Sequence, residues 1–131
     1  MGQKIDLAKE KNIDQNKILV SDLNQQLAKI KLGGGKSKLD KIRLQGKMTA
    51  RERVNYLLDE GSESIEIGAL AGFEMYGDEG GCPAAGVVVI MGYVSQKLCV
   101  IVANDSSVKA GAWFPISAKK KLKGSGDCYG K

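Results

Sequence analysis

Residues 109–112 have the types and the position that backbone binding of a ligand requires. They lie in the stretch VANDSSVKAGAWFPISAKKKL, where an apolar run stops at Asn104-Asp105 and a proline further on can open a helix. Small residues between a strand and a helix allow another group to approach the main chain closely. We therefore predict a ligand-binding loop, and the alternative is that the same small residues pack tightly under the ring of Trp113. The predicted loop residues are Lys109, Ala110, Gly111 and Ala112.

Residue types exclude several other chemistries. The chain contains no histidine, which excludes histidine-containing zinc sites, Ser-His-Asp triads and histidine general bases. Its 3 cysteines form no C-x-x-C pair, and an odd, scattered set is typical of reduced thiols in the cytoplasm. We therefore predict a cytoplasmic protein with no metal site, and these residue types identify no catalytic side chain. The cysteines are Cys82, Cys99 and Cys128.

Nucleotides, nucleic acids and membranes are poorly matched as partners. A phosphate-binding loop needs a glycine five residues before Gly35, where this sequence has Ile30, and it should follow a strand. The stretch GGGKS follows a predicted helix instead. We therefore predict that GGGKS is a helix stop and hinge. The net charge of +5 comes mainly from lysines without interleaved aromatic residues, which favours a solvated surface over a nucleic-acid interface. The start MGQKIDLAKE is no signal peptide, and the longest apolar stretch, GVVVIMGYV, is too short to cross a bilayer.

Three helices are predicted in the N-terminal half. Residues 13–30 carry apolar side chains at helical spacing, and the three glycines after them end that helix. A short helix follows over 36–44. Thr49 and Glu52 have the spacing of a capping box, so a third helix should start at Ala50 and end near Gly61. The predicted inward residues are Leu19, Leu23, Leu27 and Ile30 in the first helix and Val54, Leu57 and Leu58 in the third.

A strand, a loop, a hairpin and a helix are predicted next. Residues 64–70 alternate as in a half-buried strand with Ile65 and Ile67 on one face, and the glycine-rich segment 72–86 should be irregular. The apolar runs 87–94 and 98–103 have too few residues between them for a crossover helix. They should form an antiparallel hairpin covered on both faces.

The hairpin turn and the last helix complete the prediction. The turn lacks the glycine or asparagine that a tight hairpin prefers, which weakens the expected register. Pro115 opens the last helix, Ile116 and Leu122 should face inward, and the Gly-Ser-Gly sequence at 124–126 should end it.

The order of these segments resembles a known family. The matching stretches are LGGGKSKLDKIRLQGKMTARERVNYLLDEGS, EIGALAG and GVVVIMGYVSQKLCVIVANDSSVKAGAWFPISAKKKL. They resemble the start of the carboxyltransferase (beta) subunit of biotin-dependent acyl-CoA carboxylases of the propionyl-CoA and methylcrotonyl-CoA type, to which the glutaconyl-CoA decarboxylase alpha subunit is related. The resemblance implies an α/β fold: N-terminal helices, then the first strand-strand-helix unit of a truncated crotonase-like (ClpP/crotonase) spiral. It also implies a helical segment at 1–47, the start of a carboxyltransferase N-domain at 48–123, and an unrelated tail at 124–131.

The same resemblance implies a function. In the full-length family a carboxyl group moves from carboxybiotin to an acyl-CoA, so acyl-CoA is the ligand implied for residues 109–112. No cofactor is expected on this chain, because biotin is carried by a partner's carrier domain. The implied partners are biotin carboxylase and biotin carrier subunits. The resemblance also implies a homo-oligomer in the full-length family. The oxyanion turns and the biotin-facing half come later in the family, so the chain alone should be inactive. Ala110 replaces a family glycine and is expected to exclude a positive φ.

Two other functions compete with this one. The chain could be a non-catalytic interaction module whose helices dock on another subunit. A basic nucleic-acid-binding protein rests on charge alone. The acyl chain preferred by a carboxyltransferase of this kind does not follow from the sequence.

Overall fold

The structure is a computed structural model that describes residues 7–128, with the side chains of residues 8, 79, 127 and 128 left aside. Three helices come first: α1 (Leu7–Lys31), α2 (Lys36–Leu44) and α3 (Ala50–Leu57). Strands β1 (Ser64–Glu66), β2 (Val87–Val94) and β3 (Lys97–Asn104) follow, and helix α4 (Pro115–Cys128) comes last. Short 3-10 turns cover Gly77–Glu79, Pro83–Gly86 and Lys109–Gly111.

Strand β2 lies at the centre of an antiparallel sheet with the order β1-β2-β3. On one face of the sheet, Val54 of α3 packs against Val88 and Ile90 of β2 in the main core cluster. On the other face, α4 approaches Val89 so closely that a Cβ at Gly124 would lie 2.8 Å from its Cγ1. Each buried valine of this kind contributes about 1.5–3 kcal/mol of transfer free energy. The predicted hairpin and the following helix are therefore confirmed.

Coverage of the hairpin is uneven. Strand β2 is buried on both faces, as predicted. Strand β3 is the edge strand, and its Leu98 and Val102 are 59% and 43% exposed. The prediction that both strands are covered was therefore wrong for β3, because no described strand pairs with its outer edge and the neighbouring helices leave these side chains exposed.

The turn of the hairpin is built without glycine. Ser95 and Gln96 both have positive φ, 50° and 64°, as a type I′ turn requires. The carboxylate of Asp59 accepts hydrogen bonds from both backbone N–H groups, each at 2.7 Å. A side chain 36 residues before the turn thus compensates for its unfavourable residue types and fixes the register.

Helix α3 begins as predicted and ends early. The capping box is complete, since the N–H of Glu52 donates to Thr49 and the N–H of Thr49 donates to the Glu52 carboxylate at 2.7 Å. The helix stops at Leu57 rather than near Gly61, because Leu58 is extended and the N–H of Asp59 pairs with the carbonyl of Tyr93. Leu58 packs on the core, whereas Leu57 is 49% exposed and was wrongly predicted to face inward.

Helix α1 is longer and less covered than its sequence suggests. It covers Leu7–Lys31 and contacts the rest of the described chain near its C-terminal end, where Ile30 is buried. Leu19 and Leu23 of the predicted inward stripe are exposed, and Leu27 is half-buried. An amphipathic pattern indicates which face of a helix could be covered, and here burial is greatest near the C-terminal end of α1.

Strand β1 is shorter than predicted. It ends at Glu66, although Ile67 still donates one backbone hydrogen bond to Val89. The chain then turns at Gly68, which has φ 61°. Ile65 is 62% exposed, so its predicted burial was wrong. The segment that follows consists of turns and two 3-10 turns, which agrees with the irregular loop predicted there.

Helix α4 continues through the sequence expected to stop it. Gly124 lies inside the helix because its missing side chain allows the close approach to β2. Leu122, predicted to face inward, is 72% exposed.

Lys120 takes the inward position on α4 and is buried. Its ammonium donates to the carbonyls of Ala84 at 2.9 Å and Val87 at 2.7 Å. Burial lowers the pKa of Lys120 from 10.5 to about 8, although the nearby Glu66 carboxylate raises it. The side chain thus fixes the turn that leads into β2.

We predict that Asp59→Ala lowers the free energy of unfolding by about 1–3 kcal/mol, the cost of leaving turn donors without a charged acceptor. Replacing Ser95-Gln96 with Asn-Gly introduces residues that adopt positive φ readily, so the turn should no longer depend on the Asp59 carboxylate. In that background Asp59→Ala should cost less than half as much. Urea unfolding of all four proteins gives the coupling, and equal costs in both backgrounds would show that Asp59 does not support the turn.

Candidate functional site

The predicted ligand-binding residues form the exposed turn between β3 and α4. Lys109, Ala110 and Gly111 have φ values of 46°, 53° and 84°. The expectation that Ala110 excludes a positive φ was therefore wrong, since an alanine can adopt the left-handed region at a cost of roughly 1–2 kcal/mol. Ala112, which follows, is extended and exposed. All four residues lie together in this turn at the surface.

Packing under Trp113 does not explain the small residues. The Trp113 ring is 58% exposed and lies 3.2 Å from the ammonium of Lys121. A Cβ at Gly111 would meet only the Cα of Ser106, at an ordinary 3.7 Å. Phe114, 3% exposed, anchors the segment instead. What Gly111 supplies is a left-handed backbone next to open space.

The start of this loop is held by a hydrogen-bond chain that sequence patterns did not reveal. The buried Ser107 hydroxyl donates to Asp105 at 2.6 Å and accepts from the N–H of Gly34 at 2.9 Å. The Asp105 carboxylate also accepts from the N–H of Ser107 at 2.9 Å. A Cβ at Gly34 would overlap the Ser107 carbonyl, and one at Gly33 would overlap the Asp105 carboxylate. The triple glycine is thus a helix stop, as predicted, and also a packing surface for the loop.

The end of the loop is held by α4. The Ser117 hydroxyl accepts from the N–H of Phe114 at 3.0 Å and donates to the carbonyl of Ala85. Ser117 is fully buried. Residues 109–112 are therefore an exposed turn between two buried, hydrogen-bonded anchors.

A basic groove runs beside the loop. Two adjoining clefts of about 650 and 500 Å³ share Ile42, Lys47, Ser106 and Ala110. No acidic side chain of the described residues lines either cleft. We call this surface the basic groove, after its cations Lys38, Lys41, Lys47 and Arg53.

Two acidic residues near the groove form ion pairs with Arg43, which does not line the groove. Arg43 pairs with Glu52 at 2.8 Å and Asp40 at 3.0 Å, and the hydrogen bond that Arg43 donates to Glu52 raises the pKa of Arg43. The pKa of Glu52 is lowered, chiefly by the backbone hydrogen bond from Thr49. These carboxylates are committed outside the groove, so its own charge stays positive.

Arg51 and Arg53 have different roles. Arg51 forms a two-point ion pair with Glu66 at 2.7 and 3.0 Å. Arg53 donates to the backbone carbonyl of Asn104 at 2.9 Å and borders the groove. The sequence did not predict that these cations belong to one site with Gly34 and Ser107, because no recognisable spacing links them.

Residues 7–128 show neither a metal-binding cluster nor a membrane-spanning helix. That segment contains no group of three or more His, Cys, Asp or Glu side chains placed to hold a metal ion. Among the described residues, neither Cys82 nor Cys99 forms a disulfide. No described helix is long and apolar enough to cross a membrane.

The helices followed by a strand-strand-helix unit define the beginning of a crotonase-like α/β fold. Residues 41–127 match the carboxyl transferase domain, and the chain belongs to that family. It is 44% identical over 110 residues to the biotin-dependent 3-methylcrotonyl-coenzyme A carboxylase beta1 subunit of Mycobacterium tuberculosis, covering 84% of this chain and 20% of that one. It is 37% identical over 109 residues to the methylmalonyl-CoA decarboxylase subunit alpha of Propionigenium modestum, covering 79% and 20%.

Solved structures agree with this assignment. Transcarboxylase 12S with methylmalonyl-coenzyme A and methylmalonic acid bound superposes with a TM-score of 0.76 at 32% identity, over 85% of this chain and 22% of that chain. The geranyl-CoA carboxylase beta subunit of P. aeruginosa, at 22% identity and a TM-score of 0.59, shares the fold over 95% and 23% of the two chains. The chain spans about a fifth of the length of the curated relatives that it matches.

We predict that Gly34→Ala lowers the free energy of unfolding by about 1–3 kcal/mol or more, because the new methyl group overpacks against Ser107. Gly126→Ala is the matched control, since it adds a Cβ in open space inside α4 and should stabilise by roughly 0.5–1 kcal/mol. Urea unfolding measures both. A neutral Gly34→Ala would mean that the glycine does not pack against the loop.

Proposed function

We propose that this chain forms the acyl-CoA-facing start of a carboxyltransferase that moves a carboxyl group between carboxybiotin and an acyl-CoA. The observation that carries the proposal is the exposed left-handed turn of residues 109–112, which is open at Gly111 and anchored on both sides. Membership of the carboxyl transferase domain family supports it, as does the relative that holds methylmalonyl-coenzyme A in its crystal structure.

The role of this chain in such a reaction is binding and positioning. A thioester and its pantetheine arm can lie along a backbone that carries no large side chains, and main-chain N–H groups near a thioester oxygen stabilise negative charge that develops there. Lys109 contributes little to this surface, because its ammonium lies 4.8 Å from the centre of the Phe114 ring.

Biotin is assigned to a partner's carrier domain rather than to this chain. The groove beside the loop is lined by cations, which suit anionic groups and offer nothing specific to the uncharged ring system of biotin. The proposal therefore places no biotin site among the described residues.

The chain by itself is proposed to be inactive. Loss of one oxyanion donor typically costs roughly 10²–10³ in rate, and about four-fifths of the length of the matched relatives lies outside the part that this chain covers. The proposed partners are biotin carboxylase and biotin carrier subunits, together with further copies of the subunit, in the cytoplasm.

A second candidate function is a non-catalytic interaction module. The observation that favours it is the exposed apolar surface of α1, where Ile18, Leu19 and Val20 are 62%, 65% and 56% exposed. Exposed apolar surface of this kind is typical of protein interfaces. The two functions are separated by acyl-CoA binding, which the interaction module does not require.

We predict that Gly111→Val weakens binding of methylmalonyl-CoA about tenfold or more, since a branched side chain both blocks the loop and disfavours its positive φ. Lys109→Ala should change the affinity less than threefold. Calorimetric titration of the two variants and the parent chain tests this, with circular dichroism as the check on folding. Unchanged affinity in a folded Gly111→Val protein would contradict the proposal.

A further inference from the structure

Lys120 of α4 is a buried cation outside both the loop and the basic groove. Its side chain is 2% exposed, and its ammonium donates to the carbonyls of Ala84 at 2.9 Å and Val87 at 2.7 Å. The Glu66 carboxylate lies 4.0 Å from this ammonium and is already held by Arg51 through two hydrogen bonds. Because a buried charge is costly unless polar groups surround it, the two carbonyls are the main partners that keep Lys120 in place.

The turn that receives these bonds has an unfavourable backbone. It covers Pro83–Gly86, and we call it the supporting turn. Ala84 and Ala85 have φ values of 51° and 59°, and alanine adopts this left-handed region only where the surrounding structure imposes it. Lys120 bonds to the carbonyl of Ala84, and the Ser117 hydroxyl bonds to the carbonyl of Ala85. Helix α4 therefore holds the strained part of the turn through two side chains.

The supporting turn lies against both ends of the loop. The carbonyl of Gly86 accepts a hydrogen bond from the N–H of Asp105 at 3.0 Å. A Cβ at Gly86 would lie 3.5 Å from Cγ1 of Val108, just before the loop, and 4.0 Å from the carbonyl oxygen of Ala112, at its end. Any relaxation of the supporting turn therefore changes the surface against which residues 109–112 lie.

We propose that Lys120 is a positioning residue for acyl-CoA: by holding the supporting turn, it keeps the backbone of residues 109–112 in the conformation that receives the ligand. The effect on the loop rests on the contacts of Lys120 with the turn, whereas the identity of the ligand rests on the proposed function. Lys120 acts through the turn and is not a catalytic residue.

Protonation of Lys120 gives this role a measurable signature. Burial lowers the pKa of Lys120 from 10.5 to about 8, although the Glu66 carboxylate opposes the change. As the pH rises through this value the ammonium loses its proton, and its bonds to the carbonyls are no longer charge-assisted. The loop should therefore be held firmly below pH 8 and less firmly above it. The other charged or titratable groups near Lys120 are Arg51 of α3, Cys82 before the turn, and Lys119 and Lys123 of α4.

The first measurement needs no ligand. Trp113 is the single tryptophan of the chain and directly follows the loop, so its fluorescence reports on the loop. In the parent, its emission should change with a midpoint near pH 8. Lys120→Met should abolish this transition, whereas Cys82→Ala and Lys119→Met, which removes an exposed charge from the same helix, should retain it. A transition that survives in Lys120→Met belongs to another group, such as the Lys121 ammonium beside the Trp113 ring, and overturns the proposal.

The second measurement is calorimetric titration with methylmalonyl-CoA. At neutral pH, Lys120→Met should weaken binding about tenfold or more, since two buried carbonyls lose their charged donor. Lys119→Met is the matched control and should stay within about twofold of the parent, as expected of an exposed charge. Ala84→Gly supplies a residue that adopts positive φ readily, so in that background Lys120→Met should weaken binding by only about threefold or less. Circular dichroism checks folding, and this background also provides a folded protein if Lys120→Met alone does not fold.

The two measurements separate the role of Lys120 from the proposed function. A fluorescence transition that depends on Lys120, in a parent that does not bind methylmalonyl-CoA, keeps the positioning of the loop and overturns the proposed function. Methylmalonyl-CoA binding that is unchanged in Lys120→Met, and constant from roughly pH 7 to pH 9 in the parent, overturns the role of Lys120 and leaves the proposed function intact. Equal losses in Lys120→Met with and without Ala84→Gly would show that Lys120 does not act through the supporting turn.

Discussion

The close contact between the Gly33-Gly34 backbone and the Asp105–Ser107 turn determines the geometry of the candidate site. The N–H of Gly34 meets the Ser107 hydroxyl at 2.9 Å, across 73 residues of sequence, and neither glycine has room for a side chain. Buried donors and acceptors must be paired to avoid a cost of about 1–3 kcal/mol each. The contact brings the beginning of α2 against the end of β3, and those two elements form the walls of the basic groove.

Helix α4 provides the complementary support. Ser117 and Lys120 lie on one side of the helix and bond to carbonyls at Ala85, Ala84 and Val87, which fixes the turn that leads into β2. Because Ser117 also accepts from Phe114, the same residue anchors the end of the loop. A turn of consecutive positive φ values would be unfavourable in isolation. Here it is bounded by structure that is already determined, so its backbone can remain exposed to a ligand.

Local sequence signals predicted the local structure well. The capping box at Thr49, the start of α4 at Pro115 and the pairing of the two apolar strands were all confirmed. Features that depend on residues distant in the sequence were predicted wrongly. Gly124 was predicted to end the last helix. It lies inside α4 because the helix approaches β2 closely, and this contact between distant parts of the sequence could not be predicted.

The candidate site was predictable in part for the same reason. The small residues at 109–112 are adjacent in the chain and could be recognised as an exposed loop. The groove beside them joins cations from α2 and α3 to Ser106, and their proximity follows only from the fold. Exposure of the apolar face of α1 and of β3 was equally unpredictable, because hydrophobic patterns indicate which residues could be buried and not which of them have a neighbour.

Amide hydrogen exchange of the chain, with and without methylmalonyl-CoA, tests the central claim most directly. If residues 109–112 form the surface on which the thioester and its arm lie, bound ligand should slow exchange in this loop and in the segment from α2 to Lys47. Exchange in α1 should not change. Protection confined to α1 or to the edge of β3, with the loop unaffected, would contradict the account.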